Sequence, residues 1–220
     1  VKRNNDEVLS LLTNGNADAS INTKPWAYAL DETTMTLIGA LPLLLKPDVK
    51  RVANIGLGSG ITSHTLLASP QVQRVDSIEI EPAMREGAKR FIQRNQRVFN
   101  DPRSRIVIED AKTYFSTYNQ RYDLIVSEPS NPWVSGVAGL FSVEFYRLLK
   151  NYLSEQGLFV QWLQLYEIDI ERVASVLKAL DQNFSDYAVY ATNFGDAVII
   201  ATPKGRVPPL PLTLPALPLL

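Results

Sequence analysis

Three glycines at alternate positions, Gly56, Gly58 and Gly60, separate a short apolar run from Arg51 to Ile55 from a helical pattern that starts at Ile61. Side chains there would keep the backbone from turning tightly and would hold a ligand away from the N–H groups at the helix start. Roughly twenty residues further on, a second strand from Val75 to Ile80 ends in Glu79, with Glu81 just behind it, where a carboxylate can accept hydrogen bonds from both hydroxyls of a ribose. The turn reads G-L-G-S-G and lacks the glycine that seats a pyrophosphate in G-x-G-x-x-G, so a nucleoside without phosphates fits better than a dinucleotide. That favours a cofactor of the S-adenosylmethionine type. Glycines alone also suit any parallel α/β turn, and the acid at the next strand tip is what favours the ligand.

Two more carboxylates end strands. Asp110 follows Arg105 to Glu109 and can accept from the exocyclic amine of adenine, while one oxygen caps the helix that begins at Ala111. Glu128 follows the apolar strand Tyr122 to Ser127 and enters the loop EPSNPWVSGVAG, where burial is costly unless something cationic sits nearby. A sulfonium and a protonated amine are both cationic. An alkylamine with a pKa near ~10.4 costs roughly 4 to 5 kcal/mol to hold deprotonated at pH 7, and Glu128 is placed to orient such an amine and receive its proton. Asn131 can hold a second amine, and Trp133 can cover an alkyl chain or stack on a cation. The competing reading of the loop is a plain surface connection with Trp133 as a core anchor.

The elements that must position these groups alternate along the chain. A helix from Asp31 to Leu45, capped by Asp31 and kinked or ended early at Pro42, precedes the first strand. A helix from Pro82 to about Asn95, the third strand, a short helix from Ala111 to Thr117, the fourth strand, a helix from Phe141 to Tyr152 and a fifth strand from Leu158 to Leu163 follow. Asp169 caps a helix through Leu180, and Tyr187 to Thr192 with Ala197 to Ala201 reads as a hairpin. The order implies an α/β fold with a doubly wound, mostly parallel seven-stranded sheet and a C-terminal antiparallel hairpin, a methyltransferase-like Rossmann architecture. Ligands in such sheets bind beyond the carboxyl ends of the strands, so the glycines, Glu79, Asp110 and Glu128 are expected to converge. Residues 1–30 read as an N-terminal arm with the remnant of a small β unit, 31–203 as the nucleoside-binding domain, and 204–220 as a proline-rich tail.

Composition excludes several classes. The chain has 220 residues, with 22 basic and 23 acidic side chains, which gives no electrostatic case for a nucleic-acid partner. With no cysteine and one histidine, disulfides and thiolate metal sites are ruled out and a serine-type triad is disfavoured, so no metal is expected. No apolar run reaches the ~18 to 20 residues of a membrane helix, and no signal peptide is visible.

IGLGSG, SIEIEP, EDA, YDLIVSEPSNPWVSGVAGLFSVEFY and LFVQWL together resemble the spermidine synthase family, the polyamine aminopropyltransferases. The likeness runs from about Asp18 to Pro203 and is closest to bacterial domains often attached to membrane segments. It implies aminopropyl transfer from decarboxylated S-adenosylmethionine to a diamine such as putrescine, with Glu128 as the catalytic base. It implies a cofactor set of Gly56, Gly58, Ser59, Gly60, Glu79, Ile80, Asp110 and Ala111, with Asn131 and Trp133 toward the substrate. It also implies a homodimer and a cytoplasmic location, either free or attached to a membrane segment of a longer parent. Five residues depart from the family's pattern, and Thr34 and Met35 stand where its tyrosine-glutamine pair precedes the L-P-L segment. Ser59 replaces the aspartate that holds the aminopropyl amine, Glu128 replaces the catalytic aspartate, and Asn131 replaces the second aspartate of D-x-x-D-P. Each lost charged hydrogen bond weakens discrimination against the carboxylated cofactor by ~1 to 3 kcal/mol. An S-adenosylmethionine-dependent amine methyltransferase, and a non-catalytic nucleoside- or polyamine-binding domain, are therefore the alternatives.

Overall fold

The computed structural model describes residues 1–3, 8–13, 16–24, 26–129, 136–166 and 168–211. Three short strands, β1 (Lys2–Arg3), β2 (Val8–Thr13) and β3 (Asn16–Asn22), form an antiparallel sheet ahead of the main body. These strands fall within residues 1–30, which the sequence reads as an N-terminal arm with the remnant of a small β unit. The signal was short: among the described residues Leu9, Leu11, Ala19 and Ile21 supply the apolar face, which packs on Met35, Ile61 and Phe91.

The main sheet contains β4 (Arg51–Ile55), β5 (Arg74–Glu79), β6 (Ser104–Ile108), β7 (Tyr122–Ser127), β8 (Leu153–Gln164), β9 (Asp186–Ala191) and β10 (Asp196–Thr202). Its order is β6-β5-β4-β7-β8-β10-β9. β4 to β8 are parallel, and β10 inserts antiparallel between β8 and β9. Between them run α1 (Leu30–Leu45), α2 (Ile61–Leu66), α3 (Pro82–Ala88), α4 (Ile92–Asn100), α5 (Ala111–Tyr118), α6 (Val143–Lys150) and α7 (Ile170–Asp181). This is the doubly wound, mostly parallel seven-stranded sheet with a C-terminal hairpin that the element order implies.

Adjacent strand residues feed opposite cores, as a sheet covered on both faces requires. Val52, Leu124, Val126, Val160 and Val198 pack with Ile38, Leu45 and Leu66 of α1 and α2. Ala53, Ile125, Phe159 and Ile199 pack with Phe115, Tyr146 and Leu180 of α5, α6 and α7. Hence the central strands are nearly continuous apolar runs in the sequence.

Local chemistry adjusts several boundaries. α1 starts at Leu30 rather than with a cap at Asp31: Glu32 Oε2 accepts from the backbone N–H of Ala29 at 2.8 Å and of Asn22 at 2.9 Å, tying the helix start to β3. Pro42 lies in the last turn, and the helix passes through it to Leu45. The helix expected from Pro82 to about Asn95 is two helices joined by a 3-10 turn (Lys89–Phe91). The cause is Asn95, whose Nδ2 donates to the carbonyls of Ala88 at 2.8 Å and Ser59 at 2.7 Å and so competes with the helical ladder. β8 starts at Leu153, well ahead of the expected Leu158, and ends at Gln164, just past Leu163. Residues 204–211 carry neither helix nor strand. Among the described residues no helix is long and apolar enough to cross a membrane.

Candidate active site

The carboxyl edge of the parallel strands opens onto a cleft of about 480 Å³. Of the residues the sequence singles out, Gly56, Gly58, Glu79, Ile80, Asp110, Ala111 and Glu128 all line it. Ser59 and Gly60 do not. Ser59 is buried behind the wall, its hydroxyl 3.0 Å from Met35 Sδ, and Gly60 packs against Asn95 and Val98 at the start of α2. Asn131 and Trp133 lie outside the described residues.

The glycine turn is held to two neighbouring strand tips. The N–H of Gly56 donates to Ile78 O at 2.8 Å, and the N–H of Glu128 donates to Ile55 O at 2.9 Å. Gly56 has φ +91°, and a Cβ there would sit 2.5 Å from the carbonyl oxygen of Glu128, so β4 and β7 meet only because that position is bare. Gly56→Ala is therefore expected to cost roughly 2–3 kcal/mol in strain and displaced backbone, a fall of about 5–10 °C in melting midpoint for a chain of this size; an unchanged midpoint in calorimetry would contradict this. Gly58, with φ +50°, is different: a Cβ there would meet nothing within 4 Å. Its bareness leaves open space above the turn, which is room for a ligand.

Glu79 is only 7% exposed. Its Oε2 accepts from the N–H of Leu57 at 2.9 Å and its Oε1 from the N–H of Glu81 at 2.9 Å. Burial raises its pKa, and backbone donors from Glu81, Leu57, Gly58 and Ile80 oppose that rise. The carboxylate thus fixes the turn and faces the cavity at once. Asp110 Oδ1 accepts from the N–H of Thr113 at 2.9 Å, capping α5, while the residue lines the cleft, so the capping and ligand readings coexist. His64 stands apart: burial and the Arg97 guanidinium push its pKa down to about 4, which leaves it neutral at pH 7.

The cleft is also lined by residues outside the expected cofactor and substrate set. Asp31, read from the sequence as a helix cap, lines the cavity with Thr34, Met35, Trp162, Tyr166 and Asp196. Asp196 reached this edge because β10 is antiparallel to β8, with Asp196 opposite Gln164. The first residue of an antiparallel strand then shares an edge with the last residues of parallel ones, a signal present once the hairpin is predicted.

Glu128 lines the same cavity as Asp31 and Asp196. Burial, with Asp196 adding repulsion and a Thr62 hydrogen bond opposing it, pushes its pKa up to about 8 from an ordinary 4.5. The folded state thus binds more protons than the unfolded one between these values. Stability from this group is fully present below pH 4.5 and is lost as pH rises through 8, by roughly 1.4 kcal/mol for each pH unit in that window. Glu128→Gln is therefore expected to melt higher than the parent at pH 9 and equally at pH 4.5; the opposite trend would show that the carboxyl is not desolvated.

Residues 32–196 match the spermine/spermidine synthase domain. A polyamine aminopropyltransferase of Thermotoga neapolitana is 27% identical over 171 residues, covering 69% of this chain and 58% of the relative. The one from Desulforudis audaxviator is 31% identical over 124 residues, covering 56% and 45%. The chain thus spans about half the length of the curated relatives it matches. Among solved structures, a spermidine synthase in complex with the transition-state analogue AdoDATO superposes with a TM-score of 0.74 at 22% identity, covering 90% of this chain and 74% of that one. Human methyltransferase-like protein 13 in complex with SAH follows the same fold, with a TM-score of 0.59 at 20% identity over 78% of each chain.

Proposed function

The chain belongs to the spermine/spermidine synthase family, and from that premise we propose that its cleft binds decarboxylated S-adenosylmethionine and transfers the aminopropyl group to a diamine. One observation carries the reading: a nucleoside-sized end built from Gly58, Glu79 and Asp110 and an acidic end built from Asp31, Glu128 and Asp196 line one cavity.

The residues present fit the cofactor. Gly58 leaves open space, Glu79 offers a carboxylate for ribose hydroxyls, and Asp110 stands where adenine would end. Bound there, the sulfonium supplies an aminopropyl carbon open to displacement. Glu128 orients the acceptor amine and takes the proton that its nitrogen gives up as the new N–C bond forms. The C–S electron pair leaves with sulfur as a neutral thioether, and the Glu128 proton passes to solvent. Asp31 and Asp196 line the same cavity, and carboxylates there favour an ammonium tail and disfavour one bearing a carboxylate. That is the observation against ordinary S-adenosylmethionine and the methyltransferase reading.

Incubation with decarboxylated S-adenosylmethionine and putrescine, followed by mass spectrometry, tests the proposal. Spermidine and 5′-methylthioadenosine are the expected products. Tight binding of both ligands without turnover favours the binding-domain alternative, and methylated putrescine with S-adenosylmethionine favours the methyltransferase.

A further inference from the structure

Asp196 opens β10 at the cleft edge and is 6% exposed. Its carboxylate is held by donors from three elements: Trp162 Nε1 of β8 at 3.1 Å, Thr34 Oγ1 of α1 at 3.0 Å, and Asn193 Nδ2 of the preceding turn at 2.6 Å. Asn193 Nδ2 also donates to Thr34 Oγ1 at 2.9 Å, which closes the network. These donors fix the Asp196 carboxyl group at one place on the wall.

Asp196 acts in two directions, raising the cost of ionising both Glu128 and Asp31. Burial is the larger cause at each. Asp31 is also hydrogen-bonded by Ser20, and Glu128 by Thr62, each of which favours the ionised form. The other charged residues lining the cavity are Glu79 and Glu81 at the end of β5 and Glu109, Asp110 and Lys112 beyond β6. Lys112 is thus the one cation among the described lining residues, against Glu128 and six other carboxylates. A free cleft of this composition has strong reason to keep one carboxyl neutral, since like charges in a poorly solvated site cannot all ionise.

We propose that Asp196 is a positioning residue for Glu128: with the acceptor end free it keeps the Glu128 carboxyl protonated, and entry of a second positive charge beside Asp196 and Asp31 releases that proton and turns Glu128 into the base. The inference rests on the reading that the cleft takes a diamine acceptor, whose second charge it puts to use. The step is an ionisation. The O–H bond of the Glu128 carboxyl breaks, its electron pair stays on oxygen, and the proton leaves to solvent. An incoming cation neutralises the repulsion from Asp196 and stabilises the carboxylate that forms. A monoamine brings one charge, which the attacking nitrogen itself carries and must lose. A diamine brings a second that stays.

The test is isothermal titration calorimetry at pH 7 in buffers of different ionisation enthalpy, on protein saturated with 5′-methylthioadenosine, titrated with 1,4-diaminobutane and separately with butylamine. The diamine is expected to release close to one proton per site and butylamine several-fold fewer. Asp196→Asn is expected to remove most of the difference and to move the acid limb of the kcat/KM profile for the diamine below about 8, a shift that a merely structural role would not produce. Glu128→Gln is expected to abolish proton release. Should Asp196→Asn fail to fold, Asp196→Ser, which also removes the charge and keeps a hydroxyl for the Trp162 and Asn193 network, carries the same comparison. Equal proton release from the diamine in the parent and in the folded variant overturns the proposal, as does diamine binding to the parent without release. If the diamine does not bind the nucleoside-loaded parent at all, the proposed function itself fails.

Discussion

Replacing Glu128 by glutamine is expected to lower turnover by ~10² or more while leaving the affinity for the adenosine-bearing ligand nearly intact. The split follows from geometry. The nucleoside end of the cleft is made by Gly58, Glu79 and Asp110, and none of these depends on the Glu128 side chain. Glutamine keeps the size and hydrogen-bonding reach of glutamate, so the loop entrance and the Gly56 contact with the Glu128 carbonyl are preserved. What is lost is the ability to take a proton. With its pKa pushed up to about 8, the carboxyl of Glu128 is matched far better than an ordinary glutamate to receive a proton from an alkylammonium. The parent should therefore show kcat/KM rising on the acid side with an apparent pKa near 8, and the variant should lose that limb. Steady-state kinetics across pH 6 to 10 would reveal both. Unchanged turnover would remove Glu128 from the mechanism.

The second large effect is expected at Glu79. Glu79→Gln should weaken 5′-methylthioadenosine binding by roughly 10- to 100-fold, the loss of one or two hydrogen bonds to a charged group at ~1.5 to 3 kcal/mol in all. Both carboxylate oxygens accept from backbone N–H groups, at Leu57 and at Glu81. An amide has only one oxygen, so its NH₂ is forced against one of those donors. The glycine turn loses an anchor at the same moment that a ribose loses a charged acceptor. Calorimetric titration of the variant measures the loss, and its melting midpoint separates turn disruption from ligand contact. Affinity equal to the parent's would show that Glu79 only braces the turn.

Much of this arrangement was legible before the fold was known, for identifiable reasons. Strand tips in a parallel sheet share one edge, so Gly56, Gly58, Glu79, Asp110 and Glu128 were bound to meet once β4, β5, β6 and β7 were recognised, and their apolar runs made them easy to recognise. Ser59 and Gly60 failed to reach the cavity because the turn bends inward after Gly58: Ser59 is buried against Met35, and Gly60, at φ +84°, packs against Asn95 and Val98 just ahead of α2. The acidic far end was hidden for another reason. Asp31 sits beside Glu32, and helix-start acids read as caps; here Glu32 ties the entrance, and Asp31 is left to line the cleft. Asp196 looked like part of a hairpin turn, and its role depends on β10 running antiparallel to β8 and on Trp162 reaching across to it. Pairings of that kind, between residues 34 positions apart or more, are written in topology rather than in local spacing.

The central claim is that one cleft gathers these distant carboxylates around a single adenosine-bearing cation. A crystal structure of the protein soaked with decarboxylated S-adenosylmethionine tests it most directly. The ribose is expected within hydrogen-bond reach of Glu79, the adenine beside Asp110 and Ala111, and the aminopropyl ammonium at the end formed by Asp31, Glu128 and Asp196. Ligand density elsewhere on the molecule, or a ligand in the cleft with its ammonium turned away from those three acids, would contradict the account.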